Sequence, residues 1–77
     1  MSLSAEQIRA GRALLGWSAQ QLADRVGVSI HTIQRLETGK VPIAKAKFET
    51  ISGIRQALED GGVSFLNDGY GVTKRQP

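Results

Sequence analysis

Three short segments of the chain begin in the same way, with a serine that follows an apolar residue and precedes helix-forming residues. A serine oxygen in that position accepts a hydrogen bond from the backbone three residues later, and a glutamine there returns the bond, which forms a capping box. The first two segments carry this glutamine, as Gln7 and Gln21, and the third does not. Each start also places two apolar residues for a hydrophobic staple: Leu3 with Ile8, Trp17 with Leu22, and Val28 with Ile33. The pattern predicts helices over residues 4–15, 18–26 and 29–37.

A fourth helix is predicted after Pro42, and the period of the pattern changes beyond it. Its apolar face is predicted from residues spaced by three, three and four positions: Phe48, Ile51, Ile54 and Leu58. Gly53 interrupts this helix at a cost of about 1 kcal/mol relative to alanine, and Gly61 with Gly62 ends it. Residues 63–66 and 70–74 contain β-forming residues on either side of a turn signal at 67–69, which predicts a β-hairpin.

The second and third helices are predicted to cross steeply, as in a helix-turn-helix unit. Ala23 is small enough for the next helix to pass close to it, and Gly27 allows the positive φ of a tight turn. The apolar residues of the unit supply a shared core: Leu22, Val26, Val28, Ile33 and Leu36. We therefore expect a mainly α fold, a compact domain of four to five helices over residues 1–62 with the unit at about 18–38. The hairpin and tail, residues 63–77, are expected either to pack on this domain or to lie at a dimer interface.

The composition favours a binding protein over an enzyme. The chain has 77 residues, no cysteine and one histidine, so we expect one small domain with no metal site and no cofactor. No paired acids, no nucleophile with a base and no phosphate-binding glycine loop are present, so an enzyme is not expected. No apolar run approaches the ~20 residues of a membrane span, and a cytoplasmic protein is expected. The net charge of +3 corresponds to three lysines in residues 40–47, a balance that favours polyanionic partners.

Residues 16–40 read GWSAQQLADRVGVSIHTIQRLETGK, and LA-x-x-x-GVS-x-x-T-I-x-x-LE-x-G stands within them. With its flanks from Ile8 to Leu58, this stretch resembles the phage-repressor-like helix-turn-helix proteins of the XRE or Cro/cI type. The resemblance implies a sequence-specific transcriptional regulator, in the manner of a repressor, that places its third helix in the major groove of double-stranded DNA. It also implies a homodimer, at least on DNA. The hairpin lies outside the family pattern, and we expect either it or the fourth helix to form the dimer contact.

The third helix presents one polar face at a spacing of 100° per residue. Ile33 and Leu36 point towards the core, so His31 and Arg35 point away from it, flanked by Ile30, Gln34 and Thr38. Glutamine pairs with adenine and arginine with the O6/N7 edge of guanine. We therefore expect base reading from four residues: Ile30, His31, Gln34 and Arg35. Ile30 remains open between contact with a thymine methyl group and a place in the core.

The resemblance also assigns roles around the reading helix. It implies a structural ion pair between Arg12 of the first helix and Glu37 of the third. We expect phosphate contacts from four polar residues near helix ends: Ser18, Gln20, Thr38 and Lys40. Lys45 and Lys47 either approach the DNA backbone or form a solvated helix start.

Two departures from the family pattern leave other functions open. Ala19 stands where the family commonly has a phosphate-bridging glutamine, and Ile30 stands where it often has a polar reader. One alternative is therefore an antitoxin or accessory factor that binds DNA and a protein partner. Another is a protein-interaction module on a helix-turn-helix fold that no longer binds DNA.

Overall fold

The computed structural model describes residues 3–66 and 71–75, and it is mainly helical with a short antiparallel hairpin at the C-terminal end. The turn predicted at 67–69, together with Tyr70, lies outside the described residues. A single 3₁₀ turn, Ile43–Lys45, separates the third and fourth helices. The elements are α1 (Ala5–Leu15), α2 (Ala19–Val26), α3 (Ile30–Glu37), α4 (Phe48–Asp60), β1 (Val63–Phe65) and β2 (Val72–Lys74). The predicted fold class, with four α-helices and a hairpin, is confirmed over these residues.

The first three helices begin where the serine pattern places them, each one residue after its cap. The caps are Ser4, Ser18 and Ser29, all with extended backbone. Gln7 and Gln21 complete capping boxes, whereas the Ser29 hydroxyl accepts from the backbone N–H of Thr32 and also forms a hydrogen bond with the Thr32 hydroxyl. Because these caps satisfy backbone groups that a helix start otherwise leaves unpaired, the helix boundaries follow from local sequence.

The core is formed by all four helices and the first strand. Ala23 of α2 is fully buried, and Gly27 ends α2 with φ of 85°, as the helix-turn-helix pattern predicts. The amides of Gly27 and Val28 both donate to the Ala23 carbonyl, which makes the connection to α3 tight. The buried apolar residues are Leu3, Ile8, Leu22, Ala23, Ile33, Leu36, Ile54, Leu58 and Val63.

The prediction for the apolar face of α4 is wrong at its first residue. Ile54 and Leu58 are fully buried and Ile51 is half-buried, but Phe48 is 81% exposed. The Cα–Cβ bonds of a helix tilt towards its N-terminus, so the Phe48 side chain projects past the start of α4, and no element within the described residues covers it there. Gly53 has a packing role that the pattern did not reveal, because a Cβ atom there would lie 3.1 Å from Cγ1 of Val26 in α2.

The hairpin is fastened to α1 and α4. Its strands pair antiparallel with Val63 opposite Lys74 and Phe65 opposite Val72, and the Val63 side chain is fully buried. The buried side-chain amide of Gln7 donates to the carbonyls of Leu66 and Gly71, each at 3.2 Å. These contacts place β1 over the core of its own chain. Within residues 3–66 and 71–75, none of the helices has the length and apolar character that a bilayer crossing requires.

Candidate nucleic-acid interface

The polar face of α3 lies on the surface and its apolar face lies in the core. Ile33 is fully buried and Leu36 is 2% exposed, whereas His31, Gln34 and Arg35 are exposed. The helix begins at a serine cap, and its last turn continues into Thr38, whose hydroxyl donates to the Gln34 carbonyl at 2.9 Å. The face is therefore presented by a short helix that is held at both ends.

The position of Ile30 is compatible with both of its predicted roles, packing in the core and contact at the surface. Ile30 is half-buried and packs against the hydrophobic core, yet it stands at the first helical position of α3 beside the exposed His31. Part of its side chain covers the core and part remains at the surface. Only that surface part is available to a thymine methyl group.

The acid at the end of α3 is turned inward and paired. Nε and Nη2 of Arg12 donate to the two carboxylate oxygens of Glu37 at 2.8 and 3.0 Å, and the Glu37 side chain is 7% exposed. Nη1 of Arg12 also donates to the Trp17 carbonyl at 3.0 Å, and the guanidinium of Arg9 donates to the Glu37 carbonyl. Bidentate pairing of this kind is geometrically specific as well as strong. It joins α1 to the end of α3.

The ion pair between Arg12 and Glu37 affects the charge that the surface around α3 presents. From Arg25 to Phe48 the sequence contains five lysine or arginine residues and one acid, Glu37. Because Glu37 is 5% exposed and neutralised by Arg12, the surface of this stretch carries cations without an exposed carboxylate. Such a surface attracts polyanions at long range.

The structure brings some of the sequence-predicted site residues together and leaves others apart. A shallow depression on the exposed side of α3 is lined by His31, Gln34, Arg35, Thr38 and Lys40. Ser18 and Gln20 lie elsewhere, at the exposed start of α2. The Ser18 oxygen accepts from the Gln21 amide as a helix cap, and the Gln20 side chain donates to Asp24 at 2.8 Å. The depression therefore unites five of the eight residues predicted to contact DNA and does not include Ile30, Ser18 or Gln20.

A groove beside α3 contains residues that the sequence left undecided. Lys45 and Lys47 line it together with Arg35, so the connection to α4 adds two cations next to α3. Its lining also includes apolar side chains, among them Val28 and Leu36, and the hydroxyl side chains of Ser29, Thr32 and Thr50. The three lysines of residues 40–47 were the signal for this groove, but the sequence did not show that the chain folds back to α3.

A comparison of the sequence with models of protein families found a match over most of the helical part of the chain. The model of the helix-turn-helix domain matches residues 5–53, which is more than half of the chain. The match covers α1, α2, α3 and the first part of α4, and it ends before the hairpin. A search of curated proteins found no match to the chain.

Proposed function

The chain belongs to the helix-turn-helix domain family, and we propose on that basis that it binds double-stranded DNA as a transcriptional regulator. In this proposal α3 lies in the major groove and reads sequence, with the domain acting as a repressor of the XRE or Cro/cI type. The type rests on the motif in residues 16–40. Binding of this kind needs no chemical step and no cofactor.

The observation that carries the proposal is the charge of the α3 surface. Its exposed residues include His31, Gln34 and Arg35, and its only acid is buried against Arg12. A helix that is to enter the major groove passes between two rows of phosphates, so an exposed carboxylate there would be repelled. Pairing Glu37 inward removes that repulsion and leaves donors and acceptors facing outward.

We assign base reading to four residues of α3. Arg35 suits the O6/N7 edge of guanine, and Gln34 suits adenine. His31 has a ring that donates or accepts a hydrogen bond, and the exposed part of Ile30 suits a thymine methyl group. Arg35 also lines the groove beside α3, so it stands between the base-reading face and the lysines.

We assign phosphate contacts to the residues around this face. Thr38 and Lys40 share the depression with the readers, and Ser18 and Gln20 stand at the start of α2, where backbone N–H groups favour anions. Lys45 and Lys47 join them because they lie in the groove beside Arg35. Phosphate contacts fix the position of the protein and supply affinity that falls with salt.

We further propose that the chain acts as a homodimer. An eight-residue helix is about 12 Å long and contacts only a few base pairs, which is too little sequence to define a genomic site. Two-fold symmetry solves this by presenting two such helices to half-sites about 34 Å apart. In this proposal residues 1–62 form the DNA-binding domain, and the hairpin of residues 63–77 is part of the same folded unit.

A salt titration separates DNA binding from the alternatives. We expect the full chain to shift random duplex fragments in a gel at low salt, with affinity that falls steeply as salt rises. A double variant, Lys45→Ala with Lys47→Ala, should bind with a shallower salt dependence, whereas Lys74→Ala on β2 should not differ from wild type. A folded chain that binds no duplex DNA at low salt would favour the protein-interaction module instead.

A further inference from the structure

The groove beside α3 has a composition that DNA binding alone does not require. It lies between α3, the α3–α4 connection and the first turn of α4, and its volume is about 460 Å³, within the range of small-molecule sites. Four apolar residues contribute to its lining: Val28, Leu36, Val41 and Ala46. A DNA phosphate is polar on every side, so it would pair with the lysines of the groove without burying this apolar surface. The apolar lining therefore fits a ligand with an apolar body.

The charged residues of the same groove indicate the other end of that ligand. Arg35, Lys45 and Lys47 line the groove, and the ion pairs in the described part of the chain involve none of these three cations. A carboxylate accepts charge-assisted hydrogen bonds from such groups. Hydroxyl groups on the lining, including that of Thr50 in α4, can donate to the same anion. The groove therefore combines a cationic part and an apolar part in one volume.

We propose that the groove beside α3 binds a small organic anion, a carboxylate with an apolar body, and that this ligand competes with DNA. The carboxylate pairs with Arg35, Lys45 and Lys47, and the body covers the apolar lining. This division is that of small-molecule sites in general, where apolar side chains supply most of the contact and a few polar groups fix the orientation.

The competition follows from Arg35, which belongs to two surfaces. It lines the groove, and it also lines the depression that contains the proposed base readers. A carboxylate bound to the Arg35 guanidinium occupies the donors that guanine would need, and it reduces the positive charge around Lys45 and Lys47. The ligand therefore acts as an effector that releases the domain from DNA. This regulatory step rests on the proposed function, whereas ligand binding does not.

Ligand binding is tested first without DNA, so that its failure is separate from a failure of DNA binding. Octanoate and 2-naphthoate carry a carboxylate on an aliphatic and on an aromatic body, whereas 1-octanol lacks the charge and acetate lacks the body. In an NMR titration of the full chain, at least one of the two amphipathic carboxylates should shift the amide resonances of residues that line the groove. Acetate and 1-octanol should bind at least about tenfold more weakly, because each lacks one of the two contributions.

Three variants locate the site. The double variant Lys45→Ala with Lys47→Ala should lower the affinity for the bound carboxylate by about tenfold, because it removes two of the three cations. Lys40→Ala is the matched control, since Lys40 lines the depression and not the groove, and it should leave this affinity unchanged. Ala46→Leu places a larger side chain in the lining and should also weaken binding, because it occupies part of the volume. Thermal unfolding checks that each variant remains folded.

The competition is then measured with random duplex fragments at low salt. The carboxylate that binds should raise the apparent Kd of wild type for DNA, and acetate at the same concentration is the control for ionic strength. Ala46→Leu should lose most of this sensitivity to the carboxylate, whatever its own affinity for DNA. Carboxylate binding by a chain that binds no duplex would retain the site and overturn its regulatory role together with the proposed function.

The binding site is overturned if the amides that line the groove respond to neither octanoate nor 2-naphthoate. It is also overturned if carboxylate binding survives both the double lysine variant and Ala46→Leu, or if 1-octanol binds as tightly as the carboxylate. Carboxylate binding that leaves the affinity of wild type for DNA unchanged would overturn the competition.

Discussion

Helices α3 and α4 bury similar apolar residues, but their exposed sides differ in polarity and charge. Each places an isoleucine and a leucine in the shared core, Ile33 with Leu36 and Ile54 with Leu58. The outer side of α3 is polar, and the stretch from Arg25 to Phe48 that contains it has five cations and no exposed acid. The outer side of α4 begins with an exposed phenylalanine in a segment of net negative charge. The surface of α3 therefore suits a polyanion, whereas that of α4 does not.

The two helices also differ in how they are held. α3 begins at a serine cap, and its last turn is tied to α1 by Arg12 and Arg9. α4 begins at Lys47 with no side-chain cap, and its Arg55–Glu59 ion pair is a more exposed contact within the helix. α3 is therefore joined to another helix by a nearly buried ion pair, whereas the ion pair of α4 lies within the helix itself.

The largest effect is expected at the ion pair that fixes α3. Arg12→Ala should lower the free energy of unfolding by about 2–3 kcal/mol, because it leaves a nearly buried carboxylate unpaired. Arg55→Ala removes a pair whose side chains are 31% and 37% exposed, and it should cost about 1 kcal/mol or less. Urea denaturation measures both values. A double-mutant cycle of Arg12→Ala with Glu37→Gln that shows no coupling would remove this pair from the account.

The next effect concerns readout by α3. Arg35→Ala should cost about 1–3 kcal/mol of binding free energy on the preferred site and relax the preference at one base pair. Lys74→Ala, a change of the same charge on β2, should leave both quantities unchanged. Fluorescence anisotropy with the preferred duplex and with single-base variants measures them. Unchanged affinity and preference after Arg35→Ala would show that α3 is not the reader.

A smaller effect on stability is expected from changes to the N-caps of α3 and α4. Ser29→Ala should destabilise the domain by about 1 kcal/mol through loss of the α3 cap. Lys47→Ser should stabilise it by up to about 1 kcal/mol, because the extended backbone at Lys47 suits a capping serine. The same change removes a cation from the groove beside α3, so DNA affinity should fall while stability rises. If DNA affinity and stability instead rose together or fell together after Lys47→Ser, the cap of α4 and the charge of the groove would not act separately.

The smallest effect is expected from a single phosphate contact. Lys40→Ala should weaken binding to all duplexes alike and make the slope of log affinity against log salt shallower by about one unit. Anisotropy titrations at several salt concentrations give this slope. A sequence-dependent loss would instead place Lys40 among the base readers.

Sequence reasoning reached the features of this fold that are local. The serine caps at 4, 18 and 29 gave helix starts to within a residue, since a cap needs only residues three positions away. The inward side of α3 followed from the 100° period, because Ile33 and Leu36 share one face.

Features that depend on contact between distant elements were not predictable. The exposure of Phe48 depends on which element passes over the start of α4, and the periodicity contains no such information. The helix pattern treats Gly53 only as an unfavourable interruption, whereas the approach of Val26 makes it a close-packed position. The groove that unites Lys45, Lys47 and Arg35 arises from the path of the α3–α4 connection, which local patterns do not determine.

The central claim is that α3 of this domain reads duplex DNA by sequence, and selection from a random duplex pool tests it most directly. Wild type and Arg35→Ala would be taken through the same rounds of selection, with Lys74→Ala as the control. We predict a palindromic consensus for wild type and Lys74→Ala, with half-sites one helical turn apart, and loss of preference at one position of each half-site for Arg35→Ala. Selection that enriches no consensus with wild type, or the same consensus with Arg35→Ala, would contradict the account.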